Sequence, residues 1–253
     1  MNGKFRKSIA LLTGICLSLG MLPGRVSASA VIPEKESIRS INLGTDILTA
    51  PSKTSASWSG SRVYLGGLSD KSGSVPIVWR VLDPGSKGNE TILLQADEMI
   101  KAVDFAGTDS GDTGEVQWSG SAVQDYLNRS GKSGFLYGFD SQELDAVKKS
   151  NTAEQKDLAA GEWTFTNPAS SGDKVFLLSA AEVMKAEYGY GRDSARKMSS
   201  LTVSDGNGGT QTVSDWWLRS SVKDGEDQIA VVDKQGSLVA KDAYEQKADG
   251  GFE

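Results

Sequence analysis

The sequence predicts an α+β domain on a mainly antiparallel sheet, with short helices and long loops. Three observations carry this. Apolar runs split by turn residues lie close together in the first half, short capped amphipathic patterns fill the middle, and two strand-like runs joined by a tight turn close the chain.

Met1 to Ala30 hold Lys4, Arg6 and Lys7, then the apolar run Ile9 to Leu22, then the small residues "VSASA". That is the three-part layout of a secretory signal peptide, with cleavage after Ala28 or Ala30. The run is too short to span a bilayer and is broken by Gly14, Gly20 and Pro23, so no membrane span is expected in the mature chain. Residues 31–57 are polar ("TAPSKTSAS") and read as a leader or linker. The folded α+β domain is expected over 58–253.

"RVYLGGL" (62–68), "VPIVWRVL" (75–82) and "TILLQ" (91–95) read as three strands of an antiparallel meander. In the second, Ile77, Trp79 and Val81 alternate with Val78, Arg80 and Leu82. "WSGSAVQDYLNRSG" places Ala122, Val123, Tyr126 and Leu127 at helical spacing behind Ser119 or Ser121 as cap, and "DSQELDAVKK" sets Asp140 three residues before Glu143. "DKVFLLS" (173–179) is a strand that feeds a second capping pattern, Ser179 with Glu182. "RDSARKMSS" is a short helix, and "WWLRSS" (216–221), "QIAVVD" (228–233) and "SLVAKD" (237–242) are strands, the last two joined by a hairpin at "KQG". No internal repeat stands out.

The residue inventory restricts the chemistry. The chain has 253 residues, no histidine and one cysteine, Cys16, which lies in the expected leader. Ser-His-Asp and Cys-His nucleophilic sites are therefore excluded, as are the usual zinc, haem and iron–sulfur ligand sets. The formal net charge is −6, and loss of the leader removes Lys4, Arg6, Lys7 and Arg25 and makes the surface more acidic still. Such a surface repels nucleic acid and anionic lipid, so neither is an expected partner. No cofactor is expected. Calcium is the one metal left open, at "DSGDTGE" (109–115) and "DGNGG" (205–209), which cluster oxygen ligands with glycine but lack the EF-hand spacing.

"VPIVWRVLD", "TILLQADEMI", "VQWSGSAVQDYLN", "GDKVFLLSAAEV", "YGYGRDSARKMS", "WWLRSS" and "IAVVDKQGSL" follow one another as in a bacterial domain of unknown function, family 6273. The chain resembles one copy of that domain from about Arg62 onward. The resemblance implies export or surface attachment and a fold similar to the C-type-lectin-like and formylglycine-generating-enzyme architectures; it implies no catalytic residue. The copper-assisted thiol chemistry of formylglycine generation has no thiol here after the leader. The family closes on a strand containing "VRPA", whereas this sequence ends "ADGGFE", so the resemblance implies a missing final strand and an unpaired sheet edge.

For a binding surface the candidates are Trp217, Arg219, Trp118, Trp163 and Asp173. Aromatic rings stack on the apolar faces of sugars, and a few polar groups fix the hydroxyls. In a strand over 216–221, Trp216 and Leu218 point to one side and Trp217 and Arg219 to the other. The first pair reads as core. The second either reaches a cleft or is structural cement, with Arg219 held by a carboxylate such as Asp173 or Asp215. The expected function is non-catalytic binding of an extracellular glycan or surface protein partner by a secreted or cell-surface domain. The alternatives are a carboxylate-dependent polysaccharide hydrolase, which needs two acids facing across a cleft, and a structural spacer.

Overall fold

The computed structural model describes residues 11–12, 15–20, 48–70, 73–85, 91–106, 116–204, 209–225 and 227–244. Its strands are β1 (Leu11–Leu12), β2 (Ile15–Gly20), β3 (Arg62–Asp70), β4 (Gly73–Asp83), β5 (Thr91–Ala96), β6 (Lys101–Ala102), β7 (Val147–Lys148), β8 (Gln155–Ala160), β9 (Trp163–Asn167), β10 (Val175–Leu177), β11 (Leu201–Ser204), β12 (Thr210–Val213), β13 (Trp216–Ser221), β14 (Gln228–Val232) and β15 (Leu238–Asp242). Its helices are short: α1 (Ala122–Asn128), α2 (Ser141–Ala146) and α3 (Asp193–Arg196).

The sheet is mainly antiparallel and the helices short, as the sequence predicts, and the whole is largely β. One sheet has the order β10-β2-β5-β4-β3, with β7 also paired to β2, and the other β15-β14-β13-β1-β6. Two hairpins, β8–β9 and β11–β12, complete the set. All these pairings are antiparallel except β1 with β13.

The meander β3-β4-β5 forms as the alternation predicts. Ile77, Trp79 and Val81 are buried, and the Trp79 indole N–H donates to the Leu65 carbonyl at 2.7 Å. The opposite face of β4 is also covered. Arg80 is buried there against Asp97, which also accepts from Arg62. Burial alone would raise the Asp97 carboxyl, but the two guanidinium groups outweigh it and hold it below the usual range.

Ser121, not Ser119, caps α1, its Oγ accepting from the Gln124 N–H at 3.1 Å. Asp140 and Glu143 form a capping box at α2. Glu143 also accepts from the Gly66 N–H at 2.8 Å, tying the helix to the irregular step between Tyr64 and Gly67 in the β3–β4 register. The Ser179–Glu182 pattern makes both of its bonds, yet opens a single 3-10 turn, Glu182–Met184, rather than an α-helix.

Residues 48–57, the end of the expected linker, pack onto the domain. Pro51 is buried, Ser61 N–H donates to Thr49 C=O, and the Trp58 indole donates to Tyr188 C=O at 3.0 Å. Arg62 and Arg80 lie over the Trp58 ring at 5.0 and 5.1 Å. The two sheets meet where Arg219 N–H donates to Leu178 C=O at 2.9 Å.

Candidate functional site

The sequence-predicted site residues fall into separate places. Trp217 and Arg219 are each 1% exposed, because β13 is buried along its whole length and on both faces. Trp217 meets Phe105 edge-on at 5.6 Å and donates to Val103 C=O. Arg219 is bound to neither Asp173 nor Asp215. Its carboxylate partner is Glu182, with Nη1 to Oε2 at 2.6 Å and Nη2 to Oε1 at 2.9 Å, and it also donates to the carbonyls of Pro168 and Leu177. Burial alone would raise the Glu182 carboxyl, but the hydrogen bonds and charge of Arg219 outweigh it and hold the group below the usual range. Asp215 pairs with Lys241.

Trp118 and Asp173 do come together. The buried Asp173 carboxylate accepts from the Trp118 indole at 3.1 Å, from Gln124 and from Ser170 Oγ. This knot ties the start of α1 to the loop before β10 and is closed to solvent. Trp163, half-buried, leans on Phe165 at 6.4 Å in the β8–β9 hairpin. "DSGDTGE" and the first four residues of "DGNGG" lie outside the described residues. Among the described residues no three acidic or thiol groups cluster as a metal site would need.

A groove of about 570 Å³ lies elsewhere among the described residues. One wall is aromatic: Tyr126 from α1, and Phe135 and Tyr137 from the 3-10 turn Phe135–Gly138. Leu68 of β3 and Val75 of β4 add aliphatic lining, and the exposed Lys101 and Lys132 also line it. No Asp or Glu is among the described lining residues.

The wall is rigid for local reasons. Phe135 packs edge-on against Trp79 and Phe139, and Tyr126 is tilted against Phe135 at 6.4 Å. Gly138 lets the 3-10 turn touch β3; a Cβ there would lie 1.7 Å from the Gly67 carbonyl oxygen. Lys101 Nζ sits 4.8 Å from the Tyr126 ring centre. Burial lifts the Tyr126 phenol above its ordinary value. Tyr137 and Val75, each 50% exposed, leave apolar surface open to a ligand.

The sequence family described as "Domain of unknown function (DUF6273)" matches residues 89–249, well over half of the chain. The protein belongs to the DUF6273 family. The match starts later than the resemblance from Arg62 suggests, so the hairpin β3–β4 precedes the DUF6273 region. The groove joins the two: Tyr126, Tyr137 and both lysines lie inside the matched span, whereas Leu68 and Val75 come from the preceding hairpin. No curated protein and no solved structure matches the chain. No helix among the described residues is long and apolar enough to cross a membrane.

Proposed function

We propose that this DUF6273 protein is an exported, non-catalytic binding domain and that an extracellular glycan, acidic rather than neutral, occupies the groove of Tyr126 and Tyr137. One observation carries the reading: a half-exposed aromatic ring and two ammonium groups converge on one concavity of a chain whose net charge is negative. Tyrosine rings offer flat apolar faces for sugar rings. Lys101 and Lys132 supply hydrogen-bond donors and attract a uronate, sialate or phosphate group.

The C-type-lectin-like arrangement is part of this proposal, supported by antiparallel sheets joined through long irregular connections. The hydrolase alternative is disfavoured because the buried carboxylates of Glu143, Glu182 and Asp173 are each engaged by structural donors and none lines the groove. The spacer alternative gains from the buried tryptophans but does not account for the groove.

Isothermal titration with matched neutral and acidic oligosaccharides tests this. An acidic member is expected to bind, more weakly as salt rises. Tyr137→Ala should weaken it about tenfold, equivalent to about 1.4 kcal/mol, and the Lys101→Ala/Lys132→Ala double variant should erase the preference for acid. Both changes are at exposed side chains, so thermal stability should hold. Binding that ignores all three substitutions, or no binding at all, would dispose of the glycan reading.

A further inference from the structure

One inner strand of the larger sheet, β2, comes from the segment that reads as an export leader. β2 lies between β5 and β10, antiparallel to both, with Leu17 paired to Leu94 and to Val175, and Leu19 paired to Ile92. It also carries β7, through Ser18 with Lys148. Among the described residues, β10 and β7 have no other strand neighbour in the sheet. Removal of residues 1–30 therefore bares edges of β5, β10 and β7, and through the loss of β1 those of β13 and β6; the edges of β5 and β10 then lie about 9.5 Å apart, twice the usual strand spacing.

That gap has reason to persist. β10 is held independently of β2: Asn128 bonds the Val175 N–H and C=O, and Arg219 donates to Leu177 C=O at 2.6 Å. β5 is held by β4. The bared edges carry Ile92, Leu94, Val175 and Leu177, all buried in the core, together with backbone N–H and C=O groups that need partners. A preformed edge of this kind is recognised by adding a strand.

We propose that the gap between β5 and β10 is a strand-acceptor site that, once the leader is cleaved, takes an extended apolar segment of a second polypeptide as its inner strand. The proposal rests on the export reading above. The register states the chemistry of the incoming strand: about six residues without proline, apolar at the positions of Leu17 and Leu19, with a hydrogen-bond acceptor at the position of Cys16. That position pairs with Gln95, whose side-chain nitrogen is buried with no hydrogen-bond partner among the described residues.

The test uses the full chain with a protease site placed between residues 21 and 47, cut after folding. The probe is a labelled peptide of residues 11–20 carrying Cys16→Ser, compared with the same peptide carrying Leu17→Pro. The serine peptide is expected to enter the cut protein at one per chain, displacing the native fragment or filling the gap it leaves, and to keep the amides of Ile92, Leu94 and Phe176, which face the inner strand, protected from hydrogen exchange. The proline peptide should bind at least tenfold more weakly. Failure of the serine peptide to enter, even after the native fragment is released in denaturant and the body refolded with peptide in excess, overturns the acceptor, as does equal uptake of both peptides. The intact mass of exported protein separately reports the leader. Retention of residues 1–30 there would remove the export reading, whereas the peptide result judges the acceptor by itself.

Discussion

Replacing Arg219 with leucine is expected to cost about 3–5 kcal/mol of unfolding free energy, a large share of the stability of a domain this size. The guanidinium is fully buried and all its nitrogens donate, to Glu182, Thr152 and the carbonyls of Pro168 and Leu177. Its loss strands a buried carboxylate that keeps, among the described residues, only the bond from the Ser179 N–H. Urea unfolding at neutral pH would show it. The double change Glu182→Leu/Arg219→Leu should recover a good part of the loss, since both charges then go together. A single variant within about 0.5 kcal/mol of the parent would mean that the pair holds nothing in place.

The same pair sets a pH dependence. Glu182 and Asp97 both have folded pKa values below their ordinary values of 4.5 and 3.8. A depressed carboxyl contributes stability that is complete above its unfolded pKa and is lost as pH falls through the folded one. The urea midpoint should therefore be level near neutrality and drop below pH 4.5, and Arg219→Leu should flatten the part of that drop owed to Glu182.

Gly138→Ala should be the second most damaging change, by about 1–3 kcal/mol or more, and should abolish binding in the groove. Its Cβ would strike the Gly67 carbonyl oxygen at 1.7 Å. The Cβ is fixed to its Cα and the oxygen is main chain, so no side-chain rotation relieves the clash. The 3-10 turn would have to lift from β3, carrying Phe135 and Tyr137 with it. Gly131→Ala is the control, because a Cβ there meets nothing within 4 Å; it should be neutral within about 0.5 kcal/mol. Equal behaviour of the two variants in thermal unfolding would contradict the close contact.

Features set by neighbours in sequence were legible. The β4 alternation, the Ser121 cap and the Asp140–Glu143 box follow from local periodicity and hydrogen-bond reach. Alternation also split Trp216 from Trp217 correctly. What it could not say is what lies beyond each face, and β13 is covered on both. The Ser179–Glu182 pattern was visible, but not the second use of Glu182 with an arginine 37 positions away. The β8–β9 hairpin is not legible in the sequence, since "QKDLAAGEW" is rich in helix-forming residues and only the turn at Gly161, with φ +61, marks a reversal. The groove gave no signal because it is gathered from segments between Gly67 and Leu201. The run at 15–20 shows a different limit: a short apolar stretch reads alike as leader and as inner strand.

The burial of the indoles has a practical optical consequence. Trp58, Trp79, Trp118, Trp216 and Trp217 are buried, Trp163 is half-covered, and none lines the groove. Emission excited in the red edge of the ultraviolet should therefore be blue-shifted in the native protein and move sharply to longer wavelength on denaturation. A sugar settling on Tyr126 and Tyr137 should leave that emission almost unchanged, so intrinsic fluorescence reads folding here, and occupancy has to be followed by heat or by tyrosine resonances.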